Sequence, residues 1–134
     1  MKAAIFHEFG PPEVLKYETV PDPTPGPGQV IVKVHATTVN RVLNCAVRAG
    51  KQMQRDPILP GILGVDPSGE VVGLGKPAEG IKMPKIGDHV SVLSRAGPGE
   101  DGMLGVRRWG GDAELVLAHA DACMPISKNL DYHE

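Results

Sequence analysis

A small set of side chains in this sequence has the types and spacing to act on a small molecule. Asn40, Arg41, Asn44 and Arg48 lie together between Val39 and Gly50, and Asp66 follows in a corner rich in glycine and proline, Pro60 to Gly75. Between them they offer amide and guanidinium donors and one carboxylate. The same residues have a purely structural reading, in which Asn40 caps a helix and Asp66 pairs with an arginine to fix the corner. Asp66 sits between Val65 and Pro67, so its backbone is stiff, and we expect a buried or half-buried acid at the tip of a tight turn.

Other chemistries find no support. Cys45 and Cys123 are isolated from each other, and only His119, four residues before Cys123, comes near either, so the several-ligand spacing of a zinc site is missing. Pro67-Ser68-Gly69 lacks the first half of a nucleophile elbow. Gly73-Leu-Gly75-Lys-Pro-Ala78 matches the loose dinucleotide fingerprint. That motif needs a helix N-terminus directly after it, and Pro77, Gly80 and Pro84 forbid a sustained helix. We read it as a turn.

The elements that must position the polar set are mostly strands. Gln29 to Thr37 alternates cleanly, with Val30, Val32 and Val34 on one face and Ile31, Lys33 and His35 on the other, where His35 reads as a surface residue. Lys2 to His7, Val14 to Val20, Gly87 to Leu93, Gly110 to His119 and Ala122 to Ile126 read as further strands. Val71 and Val72 form a short strand leaving the corner. Pro21 to Gly28 carries four prolines and reads as a stiff connector. Val39 to Gly50 is the best helical segment, with Asn40 as N-cap, Gly50 at the C-terminal end, and an apolar stripe of Val42, Leu43, Ala46 and Val47 facing the core. Arg41, Asn44 and Arg48 then lie on another side. Ser94 to Trp109 reads as a flexible loop and Ser127 to Glu134 as a polar tail.

The bulk numbers fit one small, mainly β domain, an irregular barrel or sandwich with one or two short helices. Aromatic residues make up only 4% of the 134, so the core must come from Val, Leu, Ile and Ala. The net charge of −2 leaves no basic footprint for nucleic acid. No apolar run approaches a membrane span, no signal-peptide core precedes His7, and two cysteines make no disulfide framework, which together suggest a cytoplasmic protein with reduced thiols.

Taken as an ordered set, several stretches closely resemble a known family: the opening Met-Lys-Ala-Ala-Ile-Phe-His-Glu-Phe-Gly, the Pro-Gly-Pro-Gly-Gln-Val-Ile-Val-Lys-Val run, Val39-Asn40, Arg48-Ala-Gly50, Gly64-Val-Asp-Pro-Ser-Gly-Glu-Val-Val-Gly-Leu-Gly75, Ile86-Gly-Asp-His-Val90 and Gly110-Gly-Asp-Ala-Glu-Leu-Val. The chain resembles the N-terminal, GroES-like catalytic domain of medium-chain dehydrogenases/reductases, nearest the zinc-free quinone oxidoreductases. The zinc enzymes of that family carry a cysteine where this chain has Asn40 and a histidine where it has Val65. Their four-cysteine lobe would fall between Leu93 and Trp109, where this chain has no cysteine. The segment from Asn40 to Gly50 is one residue longer than the usual Val-Asn-x-x-Asp pattern, so the family's aspartate falls on Leu43 or Asn44.

The resemblance implies residues 1–130 as the GroES-like domain and 131–134 as the start of a linker to a Rossmann domain beyond. It implies NADPH held mainly by that second domain, no zinc, a small-molecule substrate and a homodimer formed through the second domain. It also implies reduction of quinones or α,β-unsaturated carbonyls, with Asn40 meeting the charge on a substrate oxygen or approaching the nicotinamide, and with Arg41, Asn44, Arg48 and Asp66 facing substrate or cofactor. The competing expectation is a stand-alone GroES-like module that binds a protein partner; against it, the loop Ser94 to Trp109 offers only Met103, Leu104, Val106 and Trp109 as the apolar residues such a module would present.

Overall fold

The computed structural model describes residues 1–51, 56–95, 97 and 102–133. Eight strands and one α-helix follow in the order β1 (Lys2–Phe6), β2 (Lys16–Thr19), β3 (Gln29–Ala36), α1 (Arg41–Arg48), β4 (Gly61–Ile62), β5 (Ser68–Leu74), β6 (His89–Val92), β7 (Leu115–His119) and β8 (Cys123–Pro125), with 3-10 turns at Pro12–Val14 and Ala120–Ala122. The strands form two sheets, β2-β1-β4 and β7-β3-β5-β6-β8. Every pairing in them is antiparallel. The mainly β reading holds. The sheets stay separate instead of closing into one barrel, and the isolated bridge Ala3–Ala113 links β1 to the segment that leads into β7.

The alternation seen in β3 is the organising pattern. Val30 and Val32 are fully buried and pack with Val71, Val90, Val92, Val116 and Leu104 beneath the larger sheet. A second cluster, Phe6, Val47, Leu63 and Val106, anchors the helix to the smaller sheet. Leu104 and Val106 correct the flexible-loop reading of Ser94 to Trp109 over its described portion. Both are buried, and the turn is tied down by the Leu104 amide donating to the Ser94 carbonyl at 2.8 Å. Residues 96 and 98–101 of that segment, and 52–55 of the Lys51–Pro60 loop, lie outside the described residues.

β3 and β5 approach unusually closely at Gly69. A Cβ there would lie 1.9 Å from the Lys33 carbonyl oxygen and 3.0 Å from the Val32 side chain. Glycine is needed for that approach rather than for its φ angle. Gly69→Ala is expected to cost about 2–4 kcal/mol in urea unfolding, the range of severe packing lesions. Gly80→Ala, where φ is +72° with nothing within 4 Å of the added atom, is expected to cost only about 1 kcal/mol. Equal losses at the two positions would contradict this packing account.

Candidate active site

Asn40 begins the site. Its backbone is extended (φ −73°, ψ 98°), and its side-chain oxygen accepts from the Leu43 amide at 3.0 Å. That bond fixes which end of the carboxamide is oxygen. It spends Oδ1 on the helix and leaves the two Nδ2 protons with no partner among the described residues. The predicted N-cap is therefore present, and the donor end of the same group remains available.

The helix faces the protein with a different stripe from the one expected. Val42 is 78% exposed, whereas Asn44 is 6% and Val47 2% exposed. Asn40, Leu43, Asn44, Val47 and Arg48 follow the i, i+3, i+4, i+7, i+8 spacing of one helix face. Two contacts select that face over the more apolar one. Val47 enters the cluster with Phe6 and Leu63. Arg48 donates from Nη1 to the Gly10 carbonyl, and the Gly10 amide donates back to the Arg48 carbonyl at 2.9 Å. The guanidinium of Arg48 thus pins the helix end to the turn after β1. Asn44 lies between, with a buried Oδ1 that has no hydrogen-bond partner. Arg41 is exposed on the first turn.

Asp66 stands on the facing corner. The backbone before it is held by three bonds from the 110–112 segment: Gly110 amide to Ile62 carbonyl (2.9 Å), Gly111 to Gly64 (2.8 Å) and Asp112 to Leu63 (2.9 Å). After it, the Pro67 carbonyl accepts from the Val92 amide at 2.8 Å. Gly64 is required here because its φ is +93° and an added Cβ would meet Asp112 Oδ1 at 2.5 Å. Val65 and Pro67 are buried, and Asp66 between them is exposed. The expectation of a buried acid fails because burying both neighbours turns the intervening side chain outward. Its partner is a hydroxyl and not an arginine: Thr38 Oγ1 donates to Asp66 Oδ2 at 3.1 Å. Thr38 precedes Asn40 by two residues, so this bond ties the chain entering the helix to the acid. Nothing in the sequence marked Thr38 for that role.

Asp112, behind the corner, has its carboxyl pushed above the usual range by burial. Among the described residues no group of three or more histidine, cysteine or acidic side chains is arranged to hold a metal ion. Neither Cys45 nor Cys123 forms a disulfide. Gly75 is explained by packing, because a Cβ there would lie 1.8 Å from the Gly26 carbonyl oxygen, and the next element is the strand β6 rather than a helix. The phosphate-binding reading of Gly73 to Ala78 fails on both counts. No helix among the described residues is long and apolar enough to cross a membrane.

The sequence model of the alcohol dehydrogenase GroES-like domain matches residues 26–128. The chain belongs to that family. It is 34% identical over 135 aligned positions to the quinone oxidoreductase of Rattus norvegicus, covering 100% of this chain and 36% of that protein. It is 36% identical over 132 positions to an NAD-dependent alcohol dehydrogenase of Sulfolobus acidocaldarius, covering 87% of this chain and 38% of the relative. Among solved structures, an NAD-dependent alcohol dehydrogenase superimposes with a TM-score of 0.85 at 32% identity over 100% of this chain and 42% of its own. The quinone oxidoreductase of Coxiella burnetii gives 0.75 at 32% identity over 98% and 38%. The GroES-like domain therefore spans well under half of the oxidoreductases it matches, all members of the medium-chain dehydrogenase/reductase superfamily.

Asp112 gives the pH test of this corner. Its folded pKa is raised above the unfolded value of 3.8. The folded state therefore holds the proton more tightly, and ionisation destabilises the fold as pH rises through the carboxylate range. Asp112→Asn is expected to be more stable than the parent at pH 7, with the difference vanishing below pH 3.8. A difference that stays constant from pH 3 to pH 7 would contradict the assignment.

Proposed function

We propose that this GroES-like domain supplies the substrate side of an NADPH-dependent, zinc-independent oxidoreductase that reduces quinones or α,β-unsaturated carbonyls by hydride transfer. The observation that carries the reading is the divided use of the Asn40 carboxamide, oxygen to the helix and Nδ2 protons unpartnered, next in sequence to the Thr38–Asp66 corner. Reduction of a conjugated carbonyl builds negative charge on an oxygen, and fixed amide donors stabilise such charge. The delocalised enolate or hydroquinone oxyanion needs less Lewis-acid help than a simple alkoxide, so a donor amide suffices.

The donor set supports the zinc-independent branch. Val65, which by resemblance takes the place of a ligating histidine, is 2% exposed with only methyl groups to offer. Among the described residues, the side chains at this corner do not fit a metal.

The fit to NADPH is confined to one end of it. No phosphate cradle is found among the described residues, so in this reading the nucleotide is held by a second domain following residues 1–130. Val39 and Val42, 84% and 78% exposed beside Asn40, suit a flat heteroaromatic ring. When bound, NADPH supplies the hydride. Asn40 donates to the acceptor oxygen, the exposed Arg41 adds positive potential at the cleft mouth, and Asp66 accepts from Thr38 and borders the substrate. Asn44 and Arg48 serve this site from behind, through the helix face they hold. The complete enzyme acts in the cytoplasm as a homodimer joined through its second domain.

The alternative, a partner-binding module, is the weaker reading because Leu104 and Val106 are buried and leave its loop little apolar surface.

Asn40→Asp separates the two uses of this residue. It keeps a capping oxygen and removes the donors, so stability is expected to stay within about 0.5 kcal/mol. Quinone-dependent NADPH oxidation by the complete oxidoreductase is expected to fall 10- to 100-fold, at or below the range for losing one oxyanion donor. Asn40→Ala loses both uses. Full turnover in Asn40→Asp removes Asn40 from the mechanism.

A further inference from the structure

Tyr132 lies far from the candidate site in sequence, in what reads as a polar tail, yet the fold returns it to the site's supporting strands. Ser68, 8% exposed, donates from Oγ to the Tyr132 carbonyl at 2.6 Å. The Tyr132 ring stacks on His35, with centroids 4.3 Å apart and planes 10° from parallel. It meets His89 at 4.7 Å and 41°. The topology explains the fit. His35 is on β3 and His89 on β6, the two strands flanking β5. Strands two places apart are separated by about 10 Å, which leaves room for one ring between side chains rising from each. The turn is closed locally by the His133 amide donating to Asp131 Oδ1 at 2.7 Å. The phenol is pushed above its ordinary range by loss of water and, secondarily, by the Glu70 carboxylate, so it packs as a neutral ring.

The residues held by this latch are next to the site. Ser68 is in register with Ala36. Ala36 lies two residues before Thr38, and Ser68 two residues after Asp66. One short closed circuit therefore contains the Ala36–Ser68 pairing and the Thr38–Asp66 hydrogen bond. The pairing of β3 with β5 is irregular between Val34 and Ala36, so the strand ends are not set by a continuous ladder at that point. Within the two strands the Ser68 hydroxyl reaches the Ala36 carbonyl only at 3.4 Å, so the shorter contact to Tyr132, from outside them, is the stronger hold on the strand ends.

We propose that Tyr132 is a positioning residue for the candidate site, its ring wedged between His35 and His89 and its carbonyl on Ser68 fixing the strand ends that carry Thr38, Asp66 and the entry to Asn40. The consequence for turnover rests on the functional reading above, while the consequence for geometry does not. The wedge acts on β3 through His35, on β5 through Ser68 and on β6 through His89, so it holds three strands that no single pairing joins.

The test uses the 134-residue chain, isotopically labelled for NMR, with Tyr132→Ala, Tyr132→Phe and His35→Ala. Tyr132→Ala is expected to shift the Thr38 amide and the Asn40 side-chain amide signals and to speed exchange of the Asn40 side-chain protons. Tyr132→Phe keeps the ring and the carbonyl and is expected to restore parental values. His35→Ala removes one side of the wedge and is expected to move the same two residues, which keeps the test valid if Tyr132→Ala fails to fold. In the complete oxidoreductase, Tyr132→Ala is expected to lower kcat 3- to 10-fold with KM unchanged. Thr38 and Asn40 signals that stay fixed in both alanine variants would overturn the proposal. So would a Tyr132→Phe variant as perturbed as Tyr132→Ala. Signals that move as expected in a complete protein with no quinone turnover would leave the positioning role standing and sink the functional reading.

Discussion

A single hydroxyl, Thr38 Oγ1 on Asp66 Oδ2 at 3.1 Å, connects the two halves of the candidate site. On one side is the chain that leaves β3 and starts α1. On the other is a corner whose backbone is secured on both flanks. An exposed hydrogen bond to a carboxylate contributes modestly by itself. Its importance is geometric, because it closes the gap between segments that the sheets alone leave open. Everything assigned to Asn40 assumes that gap is closed.

The rest of the structure supports that closure by making both segments rigid. The corner cannot shift without breaking the three bonds from residues 110–112 and displacing Gly64 from its positive φ. The helix cannot rotate without withdrawing Val47 from its cluster and Arg48 from Gly10. Rigid supports of this kind are what a preorganised donor requires, since a donor that must reorient during reaction loses most of its effect. The cost appears at Asn44, a buried carboxamide with an unpaired oxygen. The helix face that secures Arg48 and Asn40 brings Asn44 inward with them.

Much of this fold was legible in the sequence, for physical reasons that can be named. The alternation in β3 is clear because Val30 and Val32 on one face are fully buried, and the N-cap at Asn40 is a local signal that depends on nearby atoms alone. The failures share a different cause. The helix stripe was misread because Val42 is more apolar than Asn44, while the deciding contacts, Arg48 with Gly10 and Val47 with Phe6, join residues far apart in the chain. Asp66 was expected to be sheltered and to meet an arginine. Its exposure follows from Val65 and Pro67 both turning inward, and its hydroxyl partner comes from another segment. Tyr132, in an apparently polar tail, gave no local signal, because its partners lie on three different strands. Within the candidate site, types and spacing singled out Asn40 and Asp66 as candidates, and only the fold could supply Thr38 between them.

The account stands most directly on whether Asn40 and Asp66 border one cleft. NMR of the Asn40 side-chain amide and the Thr38 amide at pH 7, in the parent and in Asp66→Asn, measures this. Both signals are predicted to move on the substitution. An Asn40 side-chain signal that stays unchanged in Asp66→Asn would contradict the account.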